Sequence, residues 1–328
     1  MSDHILLSQS ILNTNLKIMK YSIIFILLAL IISSSSIAQP NYPNKPEEAK
    51  LISIDLKNFI NAYNELQINS DTTEVLKTKY FDLATPGLKE YINRFDLTPN
   101  ALKKAIKNNP EVYARIDHFY SKISQTEQEY IGELKEYQNI LQNAVFPPTY
   151  LLVADYKGIA QASKFGQLVS VEKKCIDDPE VLKHAIIHEL THFQQVMNMG
   201  FEKYTKTYTK KGNMLDLILR EGAADFITYY LVRKNESDFI KLKNYEKDEI
   251  ALWKRFQKDL ENQEKDFWLI VSFKDNNKGN PIQLGYALGY KIVKSYYINA
   301  DDKSKALAEI LKMENPEQLM LLSNYKPK

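Results

Sequence analysis

The chain of 328 residues carries 43 Lys and Arg against 41 Asp and Glu, a formal net charge of +2, and 44% of its residues are hydrophobic. This balance is typical of a globular protein and excludes disordered, collagen-like and coiled-coil classes. It also argues against a nucleic-acid partner, because phosphate binding needs a clustered excess of Lys and Arg. The single cysteine, Cys175, excludes an intrachain disulfide and a cysteine-based zinc or iron–sulfur site.

The first segment has the pattern of an export signal. Two lysines precede an apolar run, Ile23 to Ile32, and small residues follow as far as Ala38. We expect residues 1–38 to be a signal peptide cleaved after Ala38, with Met19 as an alternative start. The apolar run has about half of the roughly 20 residues that a bilayer span requires, so no stable membrane span is expected after cleavage. The sequence therefore predicts a secreted or periplasmic protein.

Two regions follow the signal. Residues 39–146 show apolar positions at three- and four-residue spacing and no strand pattern, which predicts a helical N-terminal region. A pair of prolines begins the second region, 147–328. In it, Tyr150 to Ala154 is predicted as a buried strand and Gln167 to Val171 as a more exposed one. Further helices are then predicted, at about 178–198, 214–232, 236–261 and 284–298.

The first of these later helices carries the pattern HExxH, as His188-Glu189-Leu190-Thr191-His192. Residues four apart on a helix lie on one face, so both imidazoles can reach a single cation at about 2.0–2.1 Å. Glu189 projects near the same place without sharing a coordination position. It is therefore a candidate for the general base that takes a proton from a metal-bound water and passes it on.

A second polar pair stands on the next predicted helix, which is otherwise apolar. A catalytic zinc takes three protein ligands and keeps a fourth position for water, and Glu221 is the candidate third ligand. Asp225, one turn later, is predicted to accept the free N–H of a ligating histidine. The small residues between them, Gly222, Ala223 and Ala224, are expected to let this helix pack closely on the helix that carries the histidines.

These motifs resemble the gluzincin class of zinc peptidases and, within it, the predicted zinc-dependent proteases of exported bacterial proteins, a group related to gliding-motility lipoproteins. The resemblance runs from about Tyr150 to Tyr325. It implies that His188, His192 and Glu221 bind zinc, that Glu189 is the base and that Asp225 braces a histidine. The four matching segments are His188 to Gln195, Glu221 to Phe226, Leu252 to Phe256, and Leu284 to Lys291.

Several other residues are weighed as parts of a site. Tyr286 is proposed as the donor that stabilises the oxyanion, with Tyr290 a weaker candidate, because Gly285 and Gly289 let their helix approach the active-site helix closely. Most tyrosines of this chain are expected to be packing residues. His184 is expected to be structural. Finally, the strand Gln167 to Val171 is a candidate edge to which an extended peptide adds.

The sequence predicts an α+β, zincin-like fold, mostly helical with a small sheet next to the HExxH helix, after a helical N-terminal part. The predicted function is an exported zinc metallopeptidase with a peptide or protein substrate. Two alternatives remain open. One is an exported binding or assembly protein with a structural or vestigial zinc site, and the other is a zinc amidase that acts on a non-protein amide. A structural site has no use for a carboxylate like that of Glu189, which favours the enzyme.

Overall fold

A computed structural model describes residues 42–66, 71–156, 160–172, 179–208, 212–262, 266–269 and 283–328. The predicted signal peptide, 1–38, and Cys175 lie outside the described residues. Within the described ranges, no helix is both long and apolar enough to span a membrane.

Short helices make up most of the N-terminal region, and several begin at prolines. Proline is favoured in the first turn of a helix because its missing N–H has no helical acceptor there. A threonine caps two of these starts: Thr85 accepts from Leu88 N–H, and Thr98 accepts from Ala101 N–H. After a short 3₁₀ turn at Pro46–Glu48, the helices are α1 Ile54–Leu66, α2 Thr72–Leu76, α3 Pro86–Phe95, α4 Pro99–Asn108, α5 Pro110–Tyr113, α6 Ile116–Ser121 and α7 Ile123–Ile140.

A four-stranded sheet stands next to these helices, in the order β1-β2-β4-β3. The strands are β1 Leu51–Ile52, β2 Thr149–Leu152, β3 Ala160–Ser163 and β4 Gly166–Ser170. Strands β1 and β4 both run parallel to β2, and β3 runs antiparallel to β4. Strand β3 therefore forms one edge of the sheet.

The sheet lies between two layers of helices. Neighbouring residues of a strand point to opposite faces. In β2, the Tyr150 ring packs against Gly87 of α3, whereas the Thr149 hydroxyl bonds to the Tyr130 hydroxyl of α7 at 3.3 Å. Helix α3 thus covers one face, and α7 covers the other.

The second half of the chain is helical after β4. Its helices are α8 Pro179–Met199, α9 Phe201–Thr207, α10 Met214–Phe226, α11 Ile240–Glu246, α12 Glu249–Asn262, α13 Asp266–Leu269, α14 Leu284–Asn299, α15 Lys303–Lys312 and α16 Pro316–Leu322. Helix α10 continues as a π-helical stretch, Ile227–Val232. Helix α8 packs on the same face of the sheet as α7, and the Tyr137 and Thr191 hydroxyls join the two helices at 3.1 Å. The α+β class is confirmed, and helices lie where they were predicted at about 178–198, 214–232 and 284–298. The single helix predicted at about 236–261 is instead a 3₁₀ turn, Glu236–Asp238, followed by α11 and α12.

The sheet corrects two predictions. The segment predicted as an exposed edge strand, Gln167 to Val171, is an inner strand, and all five residues of β4 are buried. The edge is β3, whose sequence Ala-Gln-Ala-Ser has no β-branched or aromatic residue to mark it. The helical N-terminal region also contributes a strand, β1, which at two residues is too short for an alternating pattern to show.

Gly222 of α10 packs against a different helix from the one predicted. A Cβ on Gly222 would lie 2.1 Å from the Gly289 carbonyl carbon, and one on Gly289 would lie 2.0 Å from the Ile218 carbonyl oxygen. Glycine at both places therefore allows α10 and α14 to cross almost backbone to backbone. The expectation that these glycines bring either helix close to α8 was wrong, because they serve the α10–α14 crossing.

Candidate metal centre

Three side chains from two helices converge beside the sheet. His188 and His192 lie one turn apart on α8, and Glu221 comes from α10. The Nε2 atoms of the histidines are 3.1 Å apart, and Glu221 Oε2 lies 3.4 Å from the first and 3.3 Å from the second. Among the described residues, these three form the group of His, Cys, Asp and Glu side chains that can hold a metal ion.

The spacing of the three atoms fits a small tetrahedral cation. Bonds of about 2.0–2.1 Å at tetrahedral angles place neighbouring ligand atoms about 3.3–3.4 Å apart. The three observed separations, 3.1 to 3.4 Å, therefore describe one face of such a tetrahedron. The fourth corner is supplied by none of these three side chains.

Hydrogen bonds on the far side of each ring fix the direction of the lone pairs. His188 Nδ1 donates to Asp225 Oδ1 at 2.8 Å, as the sequence predicts for Asp225. His192 Nδ1 lies 3.0 Å from Gln195 Oε1, and Gln195 Nε2 donates to the Arg220 carbonyl, so the amide oxygen must face the ring and accept. In the neutral imidazoles, both Nε2 atoms are therefore acceptors. Two acceptor nitrogens and a carboxylate oxygen thus face one another. Their lone pairs repel unless a cation lies between them.

The charges of the buried carboxylates at this site also favour a bound cation. Glu189, Glu221 and Asp225 are each at most 8% exposed. Burial lowers the pKa of His188, but Asp225, Glu221 and Glu189 outweigh it and raise that pKa to about 10. Burial also raises the pKa of Glu221, yet the two histidines hold it well below its usual range. The negative charge of these three carboxylates favours protons on the histidine rings, and for the same reason it favours a divalent cation.

Glu189 lies beside the group of three without belonging to it. Its carboxylate accepts the main-chain N–H of Ala162 in β3, and burial raises its pKa. Ala162 pairs with Gln167 of β4, and the Gln167 N–H turns toward β2, where it donates to Pro148. The main-chain groups of Ala162 accordingly face away from β4, on the outer side of β3. Glu189 is thus held between the metal ligands and that side of the strand.

Two tyrosines, one on α14 and one just after α9, approach the Glu221 carboxylate. Tyr286, the predicted oxyanion donor, hydrogen-bonds to Glu221, and its ring is 6.2 Å from the His188 ring at an interplanar angle of 15°. Tyr208, just after α9, donates to Glu221 Oε1 at 3.0 Å. Burial and the Glu221 charge raise the pKa of both phenols, so both remain donors. Sequence reasoning missed Tyr208, because no motif distinguishes it among 21 tyrosines.

Lys241 of α11 completes the surroundings of the centre. Its Nζ lies 3.4 Å from Asp225 Oδ2 and 3.9 Å from the centroid of the Tyr286 ring. The lysine therefore links the carboxylate that braces His188 to the tyrosine beside it. Nothing in the sequence pattern pointed to Lys241, since it lies outside the matching segments.

The remaining candidates lie outside the group of three. Tyr290 bonds to Glu236. His184 donates from Nδ1 to the Glu180 carbonyl of its own helix and contacts the Tyr229 ring at an interplanar angle of 33°, and burial lowers its pKa to about 4. These contacts agree with the expectation that His184 is structural.

A comparison with protein families gives one match. The family model described as "Predicted Zn-dependent protease (DUF2268)" matches residues 123–319, more than half of the chain. The match starts at α7, earlier than the expected resemblance from Tyr150. No curated protein and no solved structure matches significantly. The relation to gliding-motility lipoproteins therefore stays a prediction.

Proposed function

The chain belongs to the family of predicted zinc-dependent proteases, and from this membership we propose that it is an exported zinc metallopeptidase that hydrolyses peptide bonds. The observation that carries the proposal is the convergence of three lone pairs, from His188, His192 and Glu221, with Glu189 beside them. Export rests on the sequence of residues 1–38 alone.

The donor set favours zinc over the harder cations. Two imidazoles and one carboxylate are the ligands of many catalytic zinc sites, whereas calcium and magnesium prefer oxygen ligands throughout. His188, His192 and Glu221 would hold the ion. When bound, zinc acts as a Lewis acid and lowers the pKa of a water molecule at its open position.

Glu189 is assigned the proton transfers. Because burial raises the pKa of its carboxyl, it is suited to accept a proton from the attacking water and to release it to the leaving amine. The hydroxyls of Tyr286 and Tyr208 are the candidate donors to the developing oxyanion, since both already point at Glu221. Asp225 and Gln195 hold the rings of the two histidines.

Strand β3 is the proposed substrate-binding edge. An extended peptide can add to a free strand edge through main-chain hydrogen bonds. The N–H of Ala162 at this edge already bonds to Glu189, so a peptide lying there would pass directly beside the base. We therefore assign to β3 the peptide-binding edge that the sequence analysis predicted at Gln167 to Val171.

Metal analysis and a peptide-library digest test the proposal together. The purified mature chain is expected to contain about one zinc per chain and to cleave peptides, and Glu189→Gln is expected to keep the metal but lose cleavage. A zinc-loaded wild-type chain without hydrolysis would favour the structural or binding alternative. Hydrolysis of non-peptide amides alone would favour the amidase.

A further inference from the structure

A tyrosine just after α9 holds the second oxygen of the Glu221 carboxylate. Glu221 Oε2 lies 3.4 Å from His188 Nε2 and 3.3 Å from His192 Nε2, whereas Glu221 Oε1 accepts the hydroxyl of Tyr208 at 3.0 Å. The two oxygens of one carboxylate therefore have different neighbours. Oε2 belongs to the group of three ligand atoms, and Oε1 is bonded to a side chain from another part of the chain.

A contact with α10 places Tyr208. Thr207, the last residue of α9, is 6% exposed, and its hydroxyl donates to Asp216 Oδ2 at 3.1 Å. Asp216 and Glu221 both lie on α10. The end of α9 is therefore attached to the helix that carries the third candidate ligand, and Tyr208 is the next residue of the chain.

A second tyrosine orients the first. Tyr204, one turn earlier, donates its hydroxyl to the Tyr208 hydroxyl at 3.3 Å, and the two ring centroids are 5.0 Å apart. Both rings lie beside His192, at centroid distances of 6.2 and 6.3 Å. Since the Tyr208 oxygen accepts this bond, its own proton remains for Glu221. The two hydroxyls thus form a chain that ends at Glu221 Oε1.

The bond to Oε1 matters because a carboxylate can bind a cation through one oxygen or through both. A catalytic zinc takes three protein ligands and keeps a fourth position open for water. A carboxylate that used both of its oxygens would take up that position. Hydrogen bonds from outside the ligand set orient ligating carboxylates, and the bond from Tyr208 is of this kind.

We propose that Tyr208 is a positioning residue that holds Glu221 as a one-oxygen ligand and so keeps the fourth position of the metal open. This inference rests on the proposed zinc peptidase. It also separates the two candidate oxyanion donors. The hydroxyl of Tyr208 is engaged by Glu221, and Tyr286, whose ring lies beside His188, is then the donor that acts on the substrate.

Cobalt substitution tests the proposal without relying on activity. Co²⁺ can replace zinc at such a site, and its visible absorption weakens as the number of ligands rises above four. The cobalt-loaded Tyr208→Phe protein is expected to absorb less strongly than the wild type, because both oxygens of Glu221 then bind. Zinc affinity, measured by competition with a chromophoric chelator, is expected to fall about 10–100-fold because the ligand loses its fixed orientation.

Two further variants locate the effect. Tyr204→Phe removes only the donor to Tyr208, so it is expected to change the cobalt spectrum in the same direction by a smaller amount. Tyr296→Phe is the matched control, since the Tyr296 hydroxyl donates to a glutamate outside the candidate metal centre, Glu309 of α15. Its cobalt spectrum and zinc affinity should equal those of the wild type. Phenylalanine keeps the ring in each variant, and circular dichroism checks that each is folded.

An unchanged cobalt spectrum in folded Tyr208→Phe protein would overturn the proposal. If hydrolysis were slower, Tyr208 would be an oxyanion donor. If hydrolysis were at the wild-type rate, Tyr286 alone would hold the carboxylate. In both cases the peptidase proposal stands, because the wild type cleaves peptides.

Failure of the peptidase proposal has a different signature. A wild-type protein that binds cobalt but cleaves no peptide refutes the peptidase alone, and the spectra still decide the role of Tyr208. A wild-type protein that binds neither cobalt nor zinc refutes both proposals.

Discussion

Buried carboxylates are accommodated in two different ways in this molecule. At the metal centre, Glu221 and Asp225 lie against histidines and Lys241, and these neighbours hold the pKa of each carboxyl below its usual range despite burial. At the end of β4, Glu172 is fully buried, and its Oε2 accepts the Ala154 N–H at 3.1 Å. Its other oxygen has no hydrogen-bond partner among the described residues, and burial raises its pKa to about 7.

The difference shows what decides the state of a buried acid. Main-chain N–H groups compensate part of the cost of burial, but neighbouring positive charge is needed to keep the acid ionised. The candidate metal centre has acceptors arranged around a place for a cation, whereas the raised pKa of Glu172 favours its protonated form. Substitutions in the two regions should therefore change different properties: metal binding and catalysis in the first, and the pH dependence of folding in the second.

The largest effect is expected at the proposed base. Glu189→Gln removes the proton acceptor while leaving all three metal ligands, so the rate of hydrolysis should fall by about 10²–10⁴-fold. Zinc content, measured by atomic absorption after dialysis, should stay at the wild-type level. A variant that remained fully active would refute the assignment of Glu189.

Removal of the third ligand is expected to affect the metal itself. Glu221→Ala takes away the carboxylate between the two Nε2 atoms, and zinc affinity should fall by more than the about 100-fold that outer partners contribute. Competition with a chromophoric chelator measures this affinity. Unchanged affinity would remove Glu221 from the ligand set and separate it from His188 and His192.

The partners of the histidine rings should have smaller, comparable effects. Asp225→Asn removes the charge of the acceptor for His188 Nδ1–H, and Gln195→Ala removes the acceptor for His192 Nδ1–H, so each should lower zinc affinity about 10–100-fold. Asp225 carries a charge and Gln195 does not, so the aspartate variant should lose more. The same chelator titration checks both, and equal wild-type affinities would show that neither bond orients its ring.

The smallest effect is expected at the other end of the sheet. Because the folded-state pKa of Glu172 is about 7 against an ordinary 4.5, the folded protein keeps a proton that the unfolded chain releases. Stability should therefore fall as the pH rises from about 4.5 to about 7. Glu172→Gln should remove this part of the dependence, on the order of 1–3 kcal/mol.

Urea unfolding of both proteins in the presence of a chelator, at pH 5 and pH 8, measures that difference without a contribution from metal binding. A pH dependence identical in wild type and Glu172→Gln would mean that Glu172 titrates normally in the folded protein.

The sequence predicted most of the metal centre because helical geometry is local. A spacing of four residues places His188 and His192 together on any helix, and Glu221 and Asp225 follow the same rule on α10. Residues that reach the centre only through tertiary packing have no spacing pattern in the sequence that would predict them. Lys241 comes from a helix, α11, whose approach to the centre depends on the whole fold.

The sheet was predicted less well for a related reason. The strand β2 is fully buried and mostly hydrophobic and was predicted, but β3 consists of small and polar residues whose strand state depends on pairing with β4. The contacts of the glycines on α10 and α14 were also assigned to the wrong helix. A small residue shows that a close approach is possible, but it does not identify the neighbour.

The crossing of α10 and α14 places a candidate metal ligand next to a contact between two backbones. Glu221 directly precedes Gly222, which touches Gly289, and Tyr286 lies one turn before Gly289 on the same helix. Any shift of α14 is thus transmitted to both side chains at once. A substitution that separates these two backbones is therefore expected to displace Glu221 and Tyr286 together.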